Sequence, residues 1–208
     1  LFAVSCKGGN AVRFRLLTYP DIIYAEGAEE MANGKYERIG RELVKHGSII
    51  DIYSDRMSLP DGREENWDFI DHLGAAAVVA VRDDGRILMV RQFRTTVSDY
   101  TLELPAGKRD RKGEASSEIA ARELSEETGY KADKLELLVG FYTTIAFCNE
   151  QIDVYLATGL HKGEQHLDSD EFLSVETYTP EELEQMIYSG KIIDAKTIAG
   201  ILAYLRRK

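Results

Sequence analysis

The chain reads as an α/β protein with a mixed sheet flanked by helices, and three features carry that reading. Residues 75–81 (AAAVVAV) form an unbroken apolar run, the pattern of a strand covered on both faces. Two later segments carry helix boundaries: residues 114–128 end at Gly129, and Thr179-Pro180-Glu181-Glu182 is a capping box with proline at the first helical position. Strand-like and helix-like segments also interleave without the regular alternation of a doubly wound sheet.

The elements follow in order. Residues 1–30 begin with Leu, contain Gly8-Gly9 and keep no sustained period, whereas a patterned sequence follows Met31. They read as a non-native or flexible extension. Residues 36–73 read as a small β-rich unit. Ile49, Ile50, Ile52 and Tyr53 make an apolar run, Pro60-Asp61-Gly62 signals a turn, and Trp67, Phe69 and Ile70 follow it. A hairpin-like unit of this size does not hold a core alone, so it is expected to pack on the next domain or on a partner chain. Residues 74–208 form the main domain. Its strands are expected at 75–81, at 87–93 beyond the Asp83-Asp84-Gly85 turn, at 101–104 ahead of Pro105, and near 135–144 and 151–158. Pro105-Ala106-Gly107 is expected as a loop feeding the helix at 114–128. A second helix runs from Pro180 to about Ser189 and stops at Gly190. Asp194 caps a last helix with Ile198, Ile201, Leu202 and Leu205 on one face.

Composition narrows the function classes. Acidic residues outnumber basic ones by 36 to 26, and a net charge of −10 argues against a nucleic-acid partner, whose phosphates need positive surface. No apolar run is long enough to span a bilayer, so no membrane partner is expected. Cys6 and Cys148 are too far apart in sequence to suggest a disulfide framework or zinc site, which points to unpaired thiols in a reducing cytoplasm. His46, His72, His161 and His166 show no metal-ligand spacing.

The chemistry concentrates in the helix at 114–128. Glu123 and Glu127 are four residues apart and Glu123 and Glu126 three, so three carboxylates crowd one side. Such crowding weakens an isolated helix and calls for compensation. A divalent cation is one source, and hard oxygen ligands favour Mg²⁺ or Mn²⁺. A solvated acidic face is the competing explanation. Arg122, four residues from both Glu118 and Glu126, can orient carboxylates. Upstream, Leu102-Glu103-Leu104-Pro105-Ala106-Gly107 delivers a strand end and a glycine loop, able to present main-chain groups near a metal.

Arg122-Glu123-Leu124-Ser125-Glu126-Glu127-Thr128-Gly129-Tyr130, with Glu114 upstream, resembles the Nudix box, Gly-x5-Glu-x7-Arg-Glu-U-x-Glu-Glu-x-Gly-U, where U is bulky and apolar. One departure lies in the loop, where Gly107 and Glu114 enclose six residues instead of five. Beyond the box, Val90-Arg91-Gln92-Phe93-Arg94, residues 102–107 and residues 190–196 resemble ADP-ribose pyrophosphatases and related nucleoside-diphosphate-sugar hydrolases. A second departure is Ile145, which stands where those enzymes typically carry a proline.

The resemblance implies a Nudix α/β/α sandwich with a mixed β-sheet, a small N-terminal β-unit and an intertwined homodimer in which that unit helps to bind the base of the partner's substrate. It implies Mg²⁺- or Mn²⁺-dependent hydrolysis of a nucleoside-diphosphate sugar, foremost ADP-ribose to AMP and ribose 5-phosphate. The alternatives are another Nudix substrate, such as GDP-mannose or a dinucleotide, and a non-catalytic nucleotide-sugar-binding module. Glu123 and Glu127 would bind metal, Glu126 would be a further ligand or base, and the Ala106 carbonyl a further ligand. Arg122 would orient the carboxylates. In the acidic stretch 168–171, Asp170 is the candidate metal ligand and Glu171 the candidate base, against an acidic surface loop. Arg94 is the candidate diphosphate clamp, against a surface salt-bridge arginine, with Arg91 a weaker candidate. Glu103 reads as a substrate contact or a plain surface carboxylate. Trp67 or Phe69 would stack on a base, against a core role.

Overall fold

The computed structural model describes residues 35–167 and 172–207. The expectations for residues 1–30 and for Asp170 and Glu171 lie outside the described residues.

Two sheets organise the chain. The first is an antiparallel meander of β1 (Glu37–His46), β2 (Asp51–Ser58) and β3 (Glu64–Asp71). Pro60-Asp61-Gly62 makes the second turn: Leu59 and Arg63 close it with a 2.8 Å backbone bond, and Gly62 takes a φ of 85° that glycine accepts without strain. This sheet has almost no apolar interior. Its central buried group is Asp55, held by Arg41 through bonds of 2.5 and 2.6 Å. The Arg41 guanidinium also lies 4.0 Å from the Phe69 ring centroid. The Arg41 bond outweighs burial and holds the Asp55 carboxyl below its ordinary range. Tyr36, Leu43, Val44, Ile49 and Trp67 remain exposed.

The meander is fastened to the rest of the chain at one end. Ile70 N–H donates to the Phe147 carbonyl at 2.7 Å, and Asn149 Oδ1 accepts from His72 N–H at 2.8 Å. Asn149 Nδ2 donates to Asp71 at 2.6 Å. The chain then turns at Gly74, whose φ is 91°.

The second sheet is mixed. Its strands are β4 (Ala75–Val81), β5 (Ile87–Arg94), β6 (Asp99–Glu103), β7 (Ala106–Lys108), β8 (Tyr130–Tyr142), β9 (Gln151–Lys162) and β10 (Leu173–Tyr178). The main path is β10-β5-β4-β9-β8, with β6 on β5 and β7 on β4. Among the described strands of this sheet, β4 and β9 pair parallel and the other pairings are antiparallel. The apolar run of β4 divides by parity between two cores, as the period of two in a strand requires. Ala75, Ala77 and Val79 join the core that includes Leu183, Ile192 and Ile201 from α2 (Pro180–Tyr188), the following turn and α3 (Ala195–Arg207). Ala76, Val78 and Ala80 join Ile119, Ala120 and Leu124 of α1 (Ser116–Thr128). Helices therefore cover both faces, giving an α/β/α sandwich. At Gly200 a Cβ would sit 2.7 Å from Leu104 Cδ1 and 3.0 Å from Val154 Cγ1, so the absence of a side chain lets α3 approach the sheet closely.

Several boundaries differ from the sequence expectation for physical reasons. Residues 106–108 pair with β4 as a short strand where a loop is expected. The first helix starts at Ser116 and not at 114, because the Glu114 carboxylate turns back to accept the Asp110 N–H at 2.9 Å. β8 starts at Tyr130, since Gly129 ends α1 in a left-handed conformation with its N–H on the Ser125 carbonyl and leads straight into the strand. The capping box at Thr179 forms as expected, with both of its reciprocal bonds present.

Candidate active site

The face of α1 that does not enter the core faces β7. Glu123 and Glu127 are buried there, while Glu126 is half-buried one step around the helix. Glu127 Oε2 accepts the Ala106 N–H at 2.9 Å. Glu123 lies directly against Gly107, where a Cβ would come within 2.0 Å of its Cδ and Oε1. Two carboxylates spaced four apart on the helix thus meet two consecutive residues of β7. The proximity of Glu123 explains a glycine at 107: the space, not the backbone angle, requires it.

Arg122 ties this arrangement together. Its Nη1 donates to Glu123 at 2.7 Å and Glu126 at 3.1 Å, and its Nη2 donates to the Lys108 carbonyl at 3.1 Å. Asp110 lies 3.5 Å from the same guanidinium. Burial opposes the Arg122 charge, but Glu123, Asp110 and Glu126 more than offset it and raise its pKa. The six-residue loop between Gly107 and Glu114 is therefore pinned at Lys108 by Arg122 and at Asp110 by Glu114. Downstream of β9, His166 N–H donates to the Glu126 carbonyl at 3.1 Å and Gln165 Nε2 to the Glu127 carbonyl at 2.5 Å. Gln165 and His166 are thus held on the last turn of α1.

Glu103, 2% exposed, is the centre of a second cluster. It is neither a surface carboxylate nor open to solvent. Arg94 grips it through Nε to Oε1 at 2.8 Å and Nη2 to Oε2 at 2.7 Å; Thr101 Oγ1 donates at 2.6 Å, and Lys196 Nζ donates from α3. Burial alone would raise the Glu103 pKa, yet Arg94, Lys196 and Thr101 together pull it from 4.5 down to about 2. A depressed folded-state value stabilises the fold fully above 4.5, and that contribution is lost as pH falls through about 2. Melting temperature against pH should therefore fall less steeply below pH 4.5 in Glu103→Gln than in the parent. Parallel curves would refute the assignment.

The other expected substrate contacts sit apart from Glu103. Arg91 and Arg94 are three residues apart on β5 and so leave opposite faces. Arg91 pairs with Glu176 at 2.5 Å, and Tyr178 also donates to that carboxylate. Trp67, 46% exposed, stands beside Tyr36 with ring centroids 5.8 Å apart. It lines a cleft of about 310 Å³ between β3 and residues 142–149, shared with Phe69, Tyr142, Ile145, Phe147 and Asn149. Ile145 is itself 82% exposed. Sequence reasoning reached Asp194 only as a helix cap, which the Thr197 N–H and hydroxyl confirm, and Lys196 only as the end of a stretch resembling the family; Thr197 was not singled out, and none of the three was connected to Glu103.

Among the described residues no three histidine, cysteine or acidic side chains are already gathered around a point as a metal cage. Glu126 is turned toward Arg122 and Glu127 toward the Ala106 amide. The donor set nevertheless suits a hard divalent cation, with buried carboxylates beside a strand whose Gly107 leaves room for one of them.

Several known proteins are similar to this chain. An ADP-ribose pyrophosphatase of Bacillus subtilis (strain 168) is 41% identical over 172 residues, covering 82% of this chain and 92% of the relative. A methanol dehydrogenase activator of Bacillus methanolicus is 37% identical, covering 78% and 89%. An ADP-ribose pyrophosphatase of Mycobacterium tuberculosis (strain ATCC 25618 / H37Rv) is 36% identical, covering 83% and 84%. A crystal structure of an ADP compounds hydrolase superposes with a TM-score of 0.73 at 18% identity, over 83% of this chain and 93% of that one, which bears on the fold. The family model for the NUDIX domain matches residues 71–200, spanning β4 to α3 and the whole carboxylate site, and the chain belongs to that family.

Proposed function

We propose that this chain is a Mg²⁺-dependent Nudix pyrophosphatase that hydrolyses ADP-ribose to AMP and ribose 5-phosphate. The observation that carries the reading is the pair of buried carboxylates, Glu123 and Glu127, packed on Ala106 and Gly107 and steadied by Arg122. Relatives named ADP-ribose pyrophosphatase, aligned over most of their own length, support the substrate.

Glu123, Glu126 and Glu127, with the Ala106 carbonyl and Asp170, would hold the metal. When bound, Mg²⁺ or Mn²⁺ supplies charge neutralisation of the diphosphate and a bound water of lowered pKa. The chain's own groups do the rest. Arg122 orients Glu123 and Glu126, so their oxygens are set before substrate arrives. Glu126 or Glu171 accepts the proton of the attacking water. Arg94 uses Nε and one Nη2 hydrogen on Glu103, which leaves the Nη1 edge of a half-exposed guanidinium for a diphosphate oxygen. Arg91, paired with Glu176 on the opposite face of β5, has no direct part in this scheme. In-line attack on phosphorus then separates the two phosphate products.

The cleft at Trp67 suits a nucleobase, with aromatic faces and the polar Asn149. The bare apolar side chains of the meander, including Val44 and Ile49 at more than 60% exposed, support a homodimer through this sheet. The net charge of −10 disfavours a nucleic-acid partner. No helix among the described residues is long and apolar enough to cross a membrane. Two widely spaced cysteines fit a cytoplasmic setting. Ile145, exposed at the cleft, favours a second reading in which another nucleoside-diphosphate sugar is the better substrate.

Incubation with ADP-ribose, GDP-mannose, UDP-glucose, NADH and diadenosine polyphosphates in Mg²⁺ tests both readings. ADP-ribose should give AMP and ribose 5-phosphate, with turnover abolished by chelation. Preference for another sugar nucleotide would establish the second reading, and no turnover of any compound would sink both. A monomeric mass by light scattering would remove the dimer.

A further inference from the structure

The proposed clamp does not stand alone. Leu104 N–H donates to Thr197 Oγ1 at 2.9 Å, and the Thr197 hydroxyl donates to Asp194 Oδ2 at 2.6 Å. Lys196 Nζ lies 3.0 Å from that same Asp194 oxygen and also donates to Glu103, which grips Arg94. Thr197 is fully buried, and the Lys196 side chain is 12% exposed. The start of α3 is thus wired through one unbroken chain of polar contacts to β6 and to the arginine of β5. Asp194 also accepts the Thr197 N–H at 3.0 Å, which fixes it as the helix cap.

We propose that Lys196 is a positioning residue for substrate binding, acting through Glu103 on Arg94; the inference rests on Arg94 as the diphosphate clamp. Two physical effects support it. Lys196 and Arg94 both bond Glu103 Oε2, so Lys196 anchors the carboxylate and restricts the plane that Arg94 must match. The second effect is charge. Arg94, Lys196, Glu103 and Asp194 are together neutral, whereas without Lys196 the cluster is net negative at the place where a diphosphate must arrive. A lone Arg94–Glu103 pair would spend the guanidinium charge on its own anchor. Lys196 meets part of the Glu103 demand and leaves the Arg94 field directed outward. Glu127 contributes to the raised pKa of Arg94, so this arginine lies within electrostatic reach of the carboxylate helix. A rigid, outward-facing cation beside that helix is what a diphosphate clamp requires.

The test measures KM and kcat for ADP-ribose, with melting temperature, in Lys196→Met, Lys196→Arg, Arg94→Ala and the double variant Arg94→Ala/Lys196→Met. Lys196→Met should raise KM roughly tenfold with a smaller change in kcat, the scale of one displaced charge a few ångströms from the substrate. Lys196→Arg should restore most of the loss. In the Arg94→Ala background, Lys196→Met should cost clearly less than in the parent, because the group it positions is gone and only the direct effect of the lost charge remains. If it costs the same factor in both backgrounds, or lowers only the melting temperature, the positioning role is overturned. If Arg94→Ala itself leaves KM unchanged, the clamp reading fails and takes the inference with it. Should Lys196→Met not fold, Lys196→Gln, which keeps a donor to Glu103 without the charge, carries the same comparison.

Discussion

Glu127→Gln is expected to abolish nearly all turnover of ADP-ribose while leaving the fold intact. The two halves of that expectation come from different atoms. Glu127 Oε2 accepts the Ala106 N–H at 2.9 Å, and a glutamine carbonyl oxygen can accept the same bond. The amide has nearly the volume of the carboxylate, so the buried site beside β7 neither collapses nor overfills. The negative charge, however, is gone, and with the amide oxygen on the Ala106 N–H the second position is an NH₂ group, a donor that cannot ligate a cation. Losing several kcal/mol of charge stabilisation in the transition state corresponds to about a thousandfold in kcat, at roughly 1.4 kcal/mol per decade. Steady-state kinetics across a Mg²⁺ series and a thermal melt check both halves together. Activity within a few-fold of the parent would remove Glu127 from the metal site. A collapse of the melting temperature would show that its role is structural.

The residues behind that prediction were legible in the sequence because their chemistry is local. Glu123, Glu126 and Glu127 lie within one helical turn and a half, so spacing alone places them on one side. The strand Ala75–Val81 was legible for the same reason. Seven consecutive apolar residues describe burial on two faces, and the structure divides them alternately between two cores. The capping box at Thr179 is another local signal, and its partners are three residues apart.

What escaped is non-local. β7 is three residues, Ala-Gly-Lys, with no β-branched side chain, and it becomes a strand only because β4 lies beside it. β1 lies inside the stretch read as β-rich, but with charges at half its positions and nearly all its side chains exposed, its own alternation does not mark where the strand runs. Glu103 lies between Leu102 and Leu104 in a strand pattern that points it to solvent. Its burial is permitted by Lys196, 93 residues away, and by Arg94. No window short enough to show helical or strand period contains both ends of that contact. The polar network from Thr197 to Arg94 is therefore invisible before folding, although each of its members is an ordinary residue in an ordinary position.

Gly107→Ala is the second large expected effect, and it isolates geometry from charge. The substitution removes no ligand, donor or titratable group. It adds one methyl whose carbon would lie 2.0 Å from both Cδ and Oε1 of Glu123 and 2.5 Å from Oε2. No carbon–oxygen contact survives at that separation, so something must move. The backbone angle at Gly107 is not the obstacle, since its φ lies outside the left-handed region. The yielding group is the Glu123 carboxylate, which sits on a single helical residue and is held in place by Arg122 at 2.7 Å. Its displacement would break that bond and withdraw a carboxylate from the metal face, while Glu127 and the Ala106 amide keep theirs. Metal affinity read from the Mg²⁺ dependence of rate should weaken by about ten- to a hundredfold, the usual cost of disturbing groups that orient ligands. The fold should lose about 1–3 kcal/mol, as for one methyl forced into packed space. Glu123→Gln provides the comparison, because it removes the charge without the clash. If Glu123 is a metal ligand, the two variants should share a weakened Mg²⁺ dependence and differ in melting temperature. An unchanged Mg²⁺ dependence in Gly107→Ala, with the protein folded, would show that the close approach of Glu123 to β7 has no part in holding the cation.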